Sequence, residues 1–402
     1  MSDLITRLIH HPYQPPEGYA APQPGVFKAS TIFFPDCAAM RARYRGGKDI
    51  YSYGLHGTPT SFMLQERLCE LEGGRHCLLL PSGLSAIATV NFSLLKSGDE
   101  VLLPDNVYEP SQVLAEGELA AFGIRHRLYD AADAQDLAAK LSDRTRLVWL
   151  EAPGSVTMEF PDLPGMVRLC HSAGVACALD NTWGAGLAFR PFDLGDGLAV
   201  DVSVQALTKY PSGGGDVLMG SIITRDDALS RRLMLTRRRL GLGVGMNDVE
   251  TILRSLPSID LRYRAHDAAA RELARWLGRR EEIVQVLHPA LAGSPGHEHW
   301  KKVCAASGHR AAGLFSVMFQ PRYSQTQVDA FCDALRLFKL GFSWGGPISL
   351  AVPYELAGMR TDWPGHIQRG SLVRFSIGLE QVDDLRADLQ QAFDAPTFRP
   401  AN

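Results

Sequence analysis

Asp201-Val202-Ser203-Val204-Gln205-Ala206-Leu207-Thr208-Lys209 is an apolar, β-branched run that ends on a lysine, and Tyr210-Pro211-Ser212-Gly213-Gly214-Gly215-Asp216 turns the chain directly after it. Such a run reads as a strand buried inside a sheet. Lys209 is one of eight lysines among 41 basic residues and stands alone between Lys140 and Lys301, so it is not part of a charged, solvated face. Burial lowers the pKa of an ammonium group and leaves a nucleophilic amine. Taken alone, a strand-end lysine that snorkels to water explains the residue as well. The surrounding segments decide between the two.

Working outward, short apolar runs at 77–80, 101–103, 147–150, 175–179 and 221–224 join the 202–207 run, and helical patterns near 85–95, 111–122 and 163–173 alternate with them. This is the rhythm of a parallel sheet covered by helices on both faces, an α/β fold. A helix from Ser61 carries Leu64, Leu68 and Leu71 on one face and stops at Gly73-Gly74. Residues 1–60, rich in Pro, Gly, Tyr and His, read as an extended arm that needs a partner surface for Val26, Phe27, Ile32, Phe33 and Phe34. Past 246–259 the pattern is helical, and after Tyr263 a second unit begins, with a helix-forming stretch at 268–276, strands at 314–319 and 372–377, and a closing helix near 383–393. The expected organisation is an arm (1–60), a larger α/β domain (61–260) and a smaller α+β domain (261–402).

With 402 residues and a net charge of −3, the chain has ample core and no concentrated basic footprint, which excludes nucleic acid or an anionic membrane as its main partner. Arg231-Arg232 and Arg237-Arg238-Arg239 read as a solvated helix face. Seven cysteines without a CxxC pair indicate reduced thiols and a cytoplasmic location, and neither a signal peptide nor a membrane span is expected. His10-His11 and His297-Glu298-His299 lack metal spacing on a helix, so no metal is expected. Gly213-Gly214-Gly215 reads as a flexible turn, and Gly241, Gly243 and Gly245 follow a helical stretch and not a strand, so neither signals a nucleotide.

Ligands of open parallel sheets sit outside the carboxyl ends of the strands. Pro81-Ser82-Gly83-Leu84-Ser85 follows one run and opens a helix, where free backbone N–H groups suit a phosphate. Tyr108 follows the next, able to stack on a planar ring. Pro153-Gly154-Ser155, Asp180-Asn181-Thr182 and Thr208-Lys209 follow the others. An amine, a carboxylate, a phosphate cradle and an aromatic group together fit pyridoxal phosphate held as a Schiff base. Each residue has a plainer reading: Asp180 as a helix N-cap, Ser82-Gly83 as an ordinary turn, Tyr108 as core, Thr208 as a strand residue.

The segments Tyr53-Gly54-Leu55-His56-Gly57-Thr58-Pro59-Thr60, Val107-Tyr108-Glu109-Pro110-Ser111, Glu151-Ala152-Pro153-Gly154-Ser155-Val156-Thr157-Met158-Glu159, Asp180-Asn181-Thr182-Trp183, Gln205-Ala206-Leu207-Thr208-Lys209-Tyr210, Ser343-Trp344-Gly345-Gly346 and Arg374-Phe375-Ser376-Ile377-Gly378-Leu379-Glu380 resemble the Cys/Met-metabolism family of pyridoxal phosphate enzymes, most closely its cystathionine β-lyase branch. The resemblance implies an aminotransferase-like (fold type I) architecture and a homo-oligomer, a dimer of dimers. It implies that Lys209 carries the cofactor, Asp180 faces the pyridinium nitrogen, Tyr108 stacks on the ring, and Gly83, Leu84 and Thr208 hold the phosphate, with Tyr53 reaching in from a neighbouring subunit. Arg374 would grip the α-carboxylate of a small amino-acid substrate, with Ser343 and Trp344 lining that pocket. Lys209 would remove the α-proton, and Lys209 or Tyr108 would protonate the departing β-thiolate. Cystathionine would then give homocysteine, pyruvate and ammonia, a step of transsulfuration and methionine biosynthesis. A γ-lyase, a γ-synthase or a cysteine desulfhydrase would share every cofactor residue, and a cofactor-binding regulator without turnover is the reading from another class. Two positions depart from the family pattern: Leu55 stands where an arginine is usual, and Gly214-Gly215 where His-Ser often follows. His56 is a candidate substitute for the missing cation.

Overall fold

The computed structural model describes residues 3–13, 15–43, 51–360 and 363–398; parts of the expected arm (1–2, 14 and 44–50) and the last residues of the expected C-terminal domain (399–402) lie outside them. Seven strands, β1 (His76–Leu80), β2 (Glu100–Pro104), β3 (Arg125–Tyr129), β4 (Thr145–Glu151), β5 (Ala176–Asp180), β6 (Val202–Ala206) and β7 (Gly220–Thr224), form one sheet in the order β1-β7-β6-β5-β4-β2-β3. The pairs from β6 to β3 are parallel, whereas β7 runs antiparallel to both β1 and β6. The sheet is therefore mostly parallel, as the rhythm of the sequence implies, with β7 as the one antiparallel strand. Every residue of β2 and β7 is buried, because helices cover both faces and leave no face for water.

The helix Pro59–Glu72 starts where Thr58 caps it and proline takes its first position, and ends where Gly73 adopts φ +81°, a conformation that costs glycine nothing. Leu64, Leu68 and Leu71 are fully buried on one side of it. Within this unit, β3, whose residues alternate exposed and half-buried at the sheet edge up to the buried Tyr129, and the short helix Ala134–Lys140 behind it escape the periodicity. The helix expected over 111–122 is Glu109–Leu114 followed by a π turn, Ala115–Leu119.

A second sheet contains β8 (Ile283–Leu287), β9 (Leu314–Phe319), β10 (Lys339–Leu340), β11 (Leu350–Tyr354) and β12 (Leu372–Ser376) in the order β10-β11-β12-β9-β8, antiparallel except for β10 and β11. Pro353 hides β11 from a sequence reading. It is tolerated because it lies beyond the two β11 residues that β10 pairs, where the strand is an edge. A helix of 19 residues, Ile259–Leu277, leads into this unit and begins before the stretch that reads as helix-forming. Its first half is held by burial of Ile259, Tyr263 and His266, and Tyr263 Oη donates to Trp183 O at 2.9 Å. We propose the division between the two units at this helix, near residue 260.

The arm is only partly extended. Leu4–Ile9 forms a helix with Leu8 fully buried and an Arg7–Glu70 ion pair onto Pro59–Glu72, so this stretch of the arm is anchored. Beyond it Tyr19, Val26 and Phe27 are exposed and Phe33 is 91% exposed, while Ile32 and Phe34 are half-buried. The arginine cluster also differs from expectation at one position. Arg237 is buried, its Nε donating to Leu79 O at 2.7 Å and Nη1 to Leu55 O at 2.8 Å, so it ties the arm to β1 instead of facing water.

Candidate functional site

The helix Gly83–Leu94 begins at the carboxyl end of β1. Ser82 and Ser85 form a reciprocal capping box, with Ser82 N–H donating to Ser85 Oγ at 2.8 Å and Ser85 N–H to Ser82 Oγ at 3.0 Å. The cap leaves the N–H groups of Gly83 and Leu84, first and second in the helix, with no helical acceptor. Gly83 is required here by close approach: a Cβ would stand 2.8 Å from Ala206 Cβ of β6. Thr208 lies two residues past Ala206, and its Oγ1 receives Met219 N–H at 3.3 Å. A small anionic group fits this cradle, where the positive helix end and free donors converge.

Lys209 follows at once. Its Nζ donates to Ser343 Oγ at 3.0 Å and lies 5.4 Å from the centre of the Trp344 ring. The 343–345 loop can approach because Gly345 adopts φ +77°; a Cβ there would sit 3.0 Å from Tyr210 N. Burial first, then the Arg374 guanidinium, pull the Lys209 ammonium down to about 8, against the opposing carboxylate of Asp180. Asp180 ends β5, and its Oδ1 accepts the N–H of Thr182 at 2.9 Å; burial pushes its carboxyl upward. No helix follows Asp180 directly, so the capping reading does not apply.

Arg374, in the middle of β12, is 7% exposed, and its guanidinium lies 5.2 Å from the Tyr354 ring centre. Among the described residues it forms no salt bridge, and burial lowers its pKa. A buried guanidinium without a carboxylate is poised for one from outside. Tyr108, at the start of the helix Glu109–Leu114, is 41% exposed. Burial, then Asp180 and Glu151, push its phenol above the ordinary range, so it stays protonated at neutral pH.

Sequence reasoning passed over two groups here. Glu151 ends β4 directly beside Asp180 of β5, and its carboxylate accepts Tyr108 N–H at 2.8 Å and Ser155 N–H at 3.2 Å. Its place within the quoted 151–159 segment is the only signal that marked it. Tyr354, the ring against Arg374, sits in the unread strand β11 and has no sequence signal.

The single chain does not bring every expected residue together. Tyr53 is 48% exposed and lines a separate cavity of about 720 Å³ with Lys28, Leu55, Gly243 and Met246. His56 bonds Ser52 Oγ through Nδ1 at 2.7 Å, and burial together with Arg238 and Arg237 lowers its pKa, which makes it a poor replacement cation. The residues at the strand ends fit pyridoxal phosphate on their own chemistry: a buried amine, an acid on the neighbouring strand and a donor-lined cradle that a methyl group would fill. Among the described residues no helix is long and apolar enough to cross a membrane.

The sequence profile of the Cys/Met metabolism PLP-dependent enzymes matches residues 5–394. A cystathionine β-lyase of Bordetella avium is 37% identical over 97% of this chain and 96% of its own length. The cystathionine β-lyase MetC of Escherichia coli K12 is 36% identical over 92% of each. The crystal structure of metB from Corynebacterium glutamicum superposes with a TM-score of 0.87 at 26% identity, covering 98% of both chains. This is the aminotransferase-like, fold type I architecture.

Proposed function

From the premise that this chain belongs to the Cys/Met metabolism PLP-dependent enzymes, we propose that it is a carbon–sulfur lyase that cleaves cystathionine by β-elimination, giving homocysteine, pyruvate and ammonia with uptake of one water. The observation that carries this reading is a buried Arg374, without a salt bridge among the described residues, in electrostatic range of Lys209, whose amine is drawn down to about 8. One group is the receptor for an amino acid's carboxylate, the other a base for its α-proton. Bound pyridoxal phosphate supplies an electron sink for the negative charge that develops at the α-carbon.

The protein's own residues do the rest. Gly83 and Leu84 N–H and Thr208 Oγ1 would hold the phosphate, and Asp180 would keep a proton at the ring nitrogen. Tyr108 would stack on the ring, and the Glu151 carboxylate that accepts its N–H anchors its backbone. Ser343 holds the Lys209 amine in place at 3.0 Å. Arg374 orients the substrate so that the α-hydrogen faces Lys209. The departing sulfur takes a proton from Lys209 or from the protonated Tyr108 phenol. Tyr53 contributes from a second copy of the chain, which makes the working form at least a dimer, and by analogy with the family a homotetramer in the cytoplasm.

Product analysis tests the regiochemistry. Purified protein incubated with cystathionine should release pyruvate and homocysteine. Release of 2-oxobutyrate and cysteine would assign it to γ-elimination instead, and a coloured protein that releases neither would leave it a cofactor-binding regulator.

A further inference from the structure

At the opposite end of the same sheet from Lys209, three residues far apart in sequence converge. His171 lies in the last turn of the helix Leu163–Ser172, Cys177 is the second residue of β5, and Asp201 immediately precedes β6. His171 Nε2 stands 3.8 Å from Cys177 Sγ and 3.6 Å from Asp201 Oδ2, and all three donor atoms lie within 4.8 Å of one another. The nitrogen–oxygen separation is too long for a good hydrogen bond. It matches a coordination edge, however: ligands held about 2.0–2.3 Å from a tetrahedral zinc ion are separated by roughly 3.3–3.8 Å.

We propose that His171 Nε2, Cys177 Sγ and Asp201 Oδ2 bind one borderline-soft divalent cation of the zinc type, with water in the fourth position. Imidazole, thiolate and carboxylate together are a zinc donor set. The second shell is in place, since Cys177 N–H donates to Asp201 Oδ2 at 2.8 Å and orients that carboxylate. The His171 and Asp201 side chains are 40% and 36% exposed, which opens a path from solvent to the buried thiol. The negative end of the helix favours a cation at the same spot. On binding, the Cys177 S–H bond breaks, its proton goes to solvent, and the sulfur lone pair forms the bond to the metal; no electron transfer is involved. The site would pin the starts of β5 and β6, the strands whose far ends present Asp180 and Lys209. It is independent of the reaction proposed above.

The test uses chelator-treated, dialysed holoenzyme titrated separately with zinc and cobalt(II) chloride. One equivalent of cobalt per chain should produce a thiolate-to-metal charge-transfer band, and zinc should displace it and raise the thermal unfolding midpoint. Cys177→Ser and the half-exposed His171→Ala should each abolish the band and the shift while leaving the visible cofactor absorption and turnover unchanged. Absence of the band in the unaltered protein, or a band and shift that survive in both variants, would overturn the proposal.

Discussion

Replacing Arg374 by alanine perturbs two things at once, and the structure separates them. The first is binding: the guanidinium is 7% exposed and has no carboxylate partner among the described residues, so a substrate carboxylate would be its counter-ion. Losing a charge-assisted pair of this kind costs about 1.5–3 kcal/mol, which is roughly a 10- to 150-fold fall in kcat/KM, carried mainly by KM. The second is protonation, because burial first and the Arg374 charge after it lower the Lys209 amine to about 8. A base works only when neutral, so the rate should climb with pH through the Lys209 pKa. Without the guanidinium the amine is more easily protonated, and the acid limb of the profile should move to higher pH. Arg374→Lys should restore the acid limb but not the full affinity, since a point charge replaces a bidentate fork. Pyruvate release measured over a cystathionine series at several pH values reads both effects. An unchanged KM together with an unmoved acid limb would refute the placement of Arg374 at the substrate carboxylate.

Lys209→Ala should remove both turnover and the visible absorption of the bound cofactor, and persistence of either would take Lys209 out of its role. Gly83→Ala forces a Cβ to 2.8 Å from Ala206; strain of about 1–3 kcal/mol at the cradle should weaken cofactor retention roughly tenfold, seen by equilibrium dialysis, and unaltered retention would show that the cradle lies elsewhere. Burial pushes the Glu159 carboxyl up, but hydrogen bonds from His366, Thr157 and Asn106 and the charge of Arg360 outweigh it and hold the group at about 2 against an ordinary 4.5. A depressed acid stabilises the fold fully above its unfolded pKa and loses that contribution as pH falls from 4.5 towards 2, a span worth about 3 kcal/mol. Glu159→Gln should therefore lower the denaturant midpoint at pH 7 and flatten its decline in that window; an equally steep decline in the variant would assign the acid sensitivity to other groups.

Much of the site is legible in the chain because its parts are local. Ser82-Gly83 announces a helix start, Asp180 and Lys209 each end an apolar run, and the 3.6- and 2-residue periods mark helix and strand without any long-range contact. Arg237 misled because a basic run looks the same whether its guanidinium meets water or the carbonyls of Leu79 and Leu55. β11 is hidden because a proline reads as a strand breaker, and only the tertiary structure shows that Pro353 pairs with Val373 of β12 on one side while β10 stops at Ala351 on the other.

By itself the sequence determined most strands of the larger sheet, the helices between them and the residue types that stand at the ends of those strands, since these depend on the side chains of a few consecutive residues. The tertiary structure alone decided that β7 runs against its neighbours, that Glu151 lies beside Asp180, that the Arg374 guanidinium lies over the Tyr354 ring, and that His171, Cys177 and Asp201 meet. These are questions of strand order and register, settled by the sum of many weak contacts between segments distant along the chain, and no short stretch of residues carries that sum.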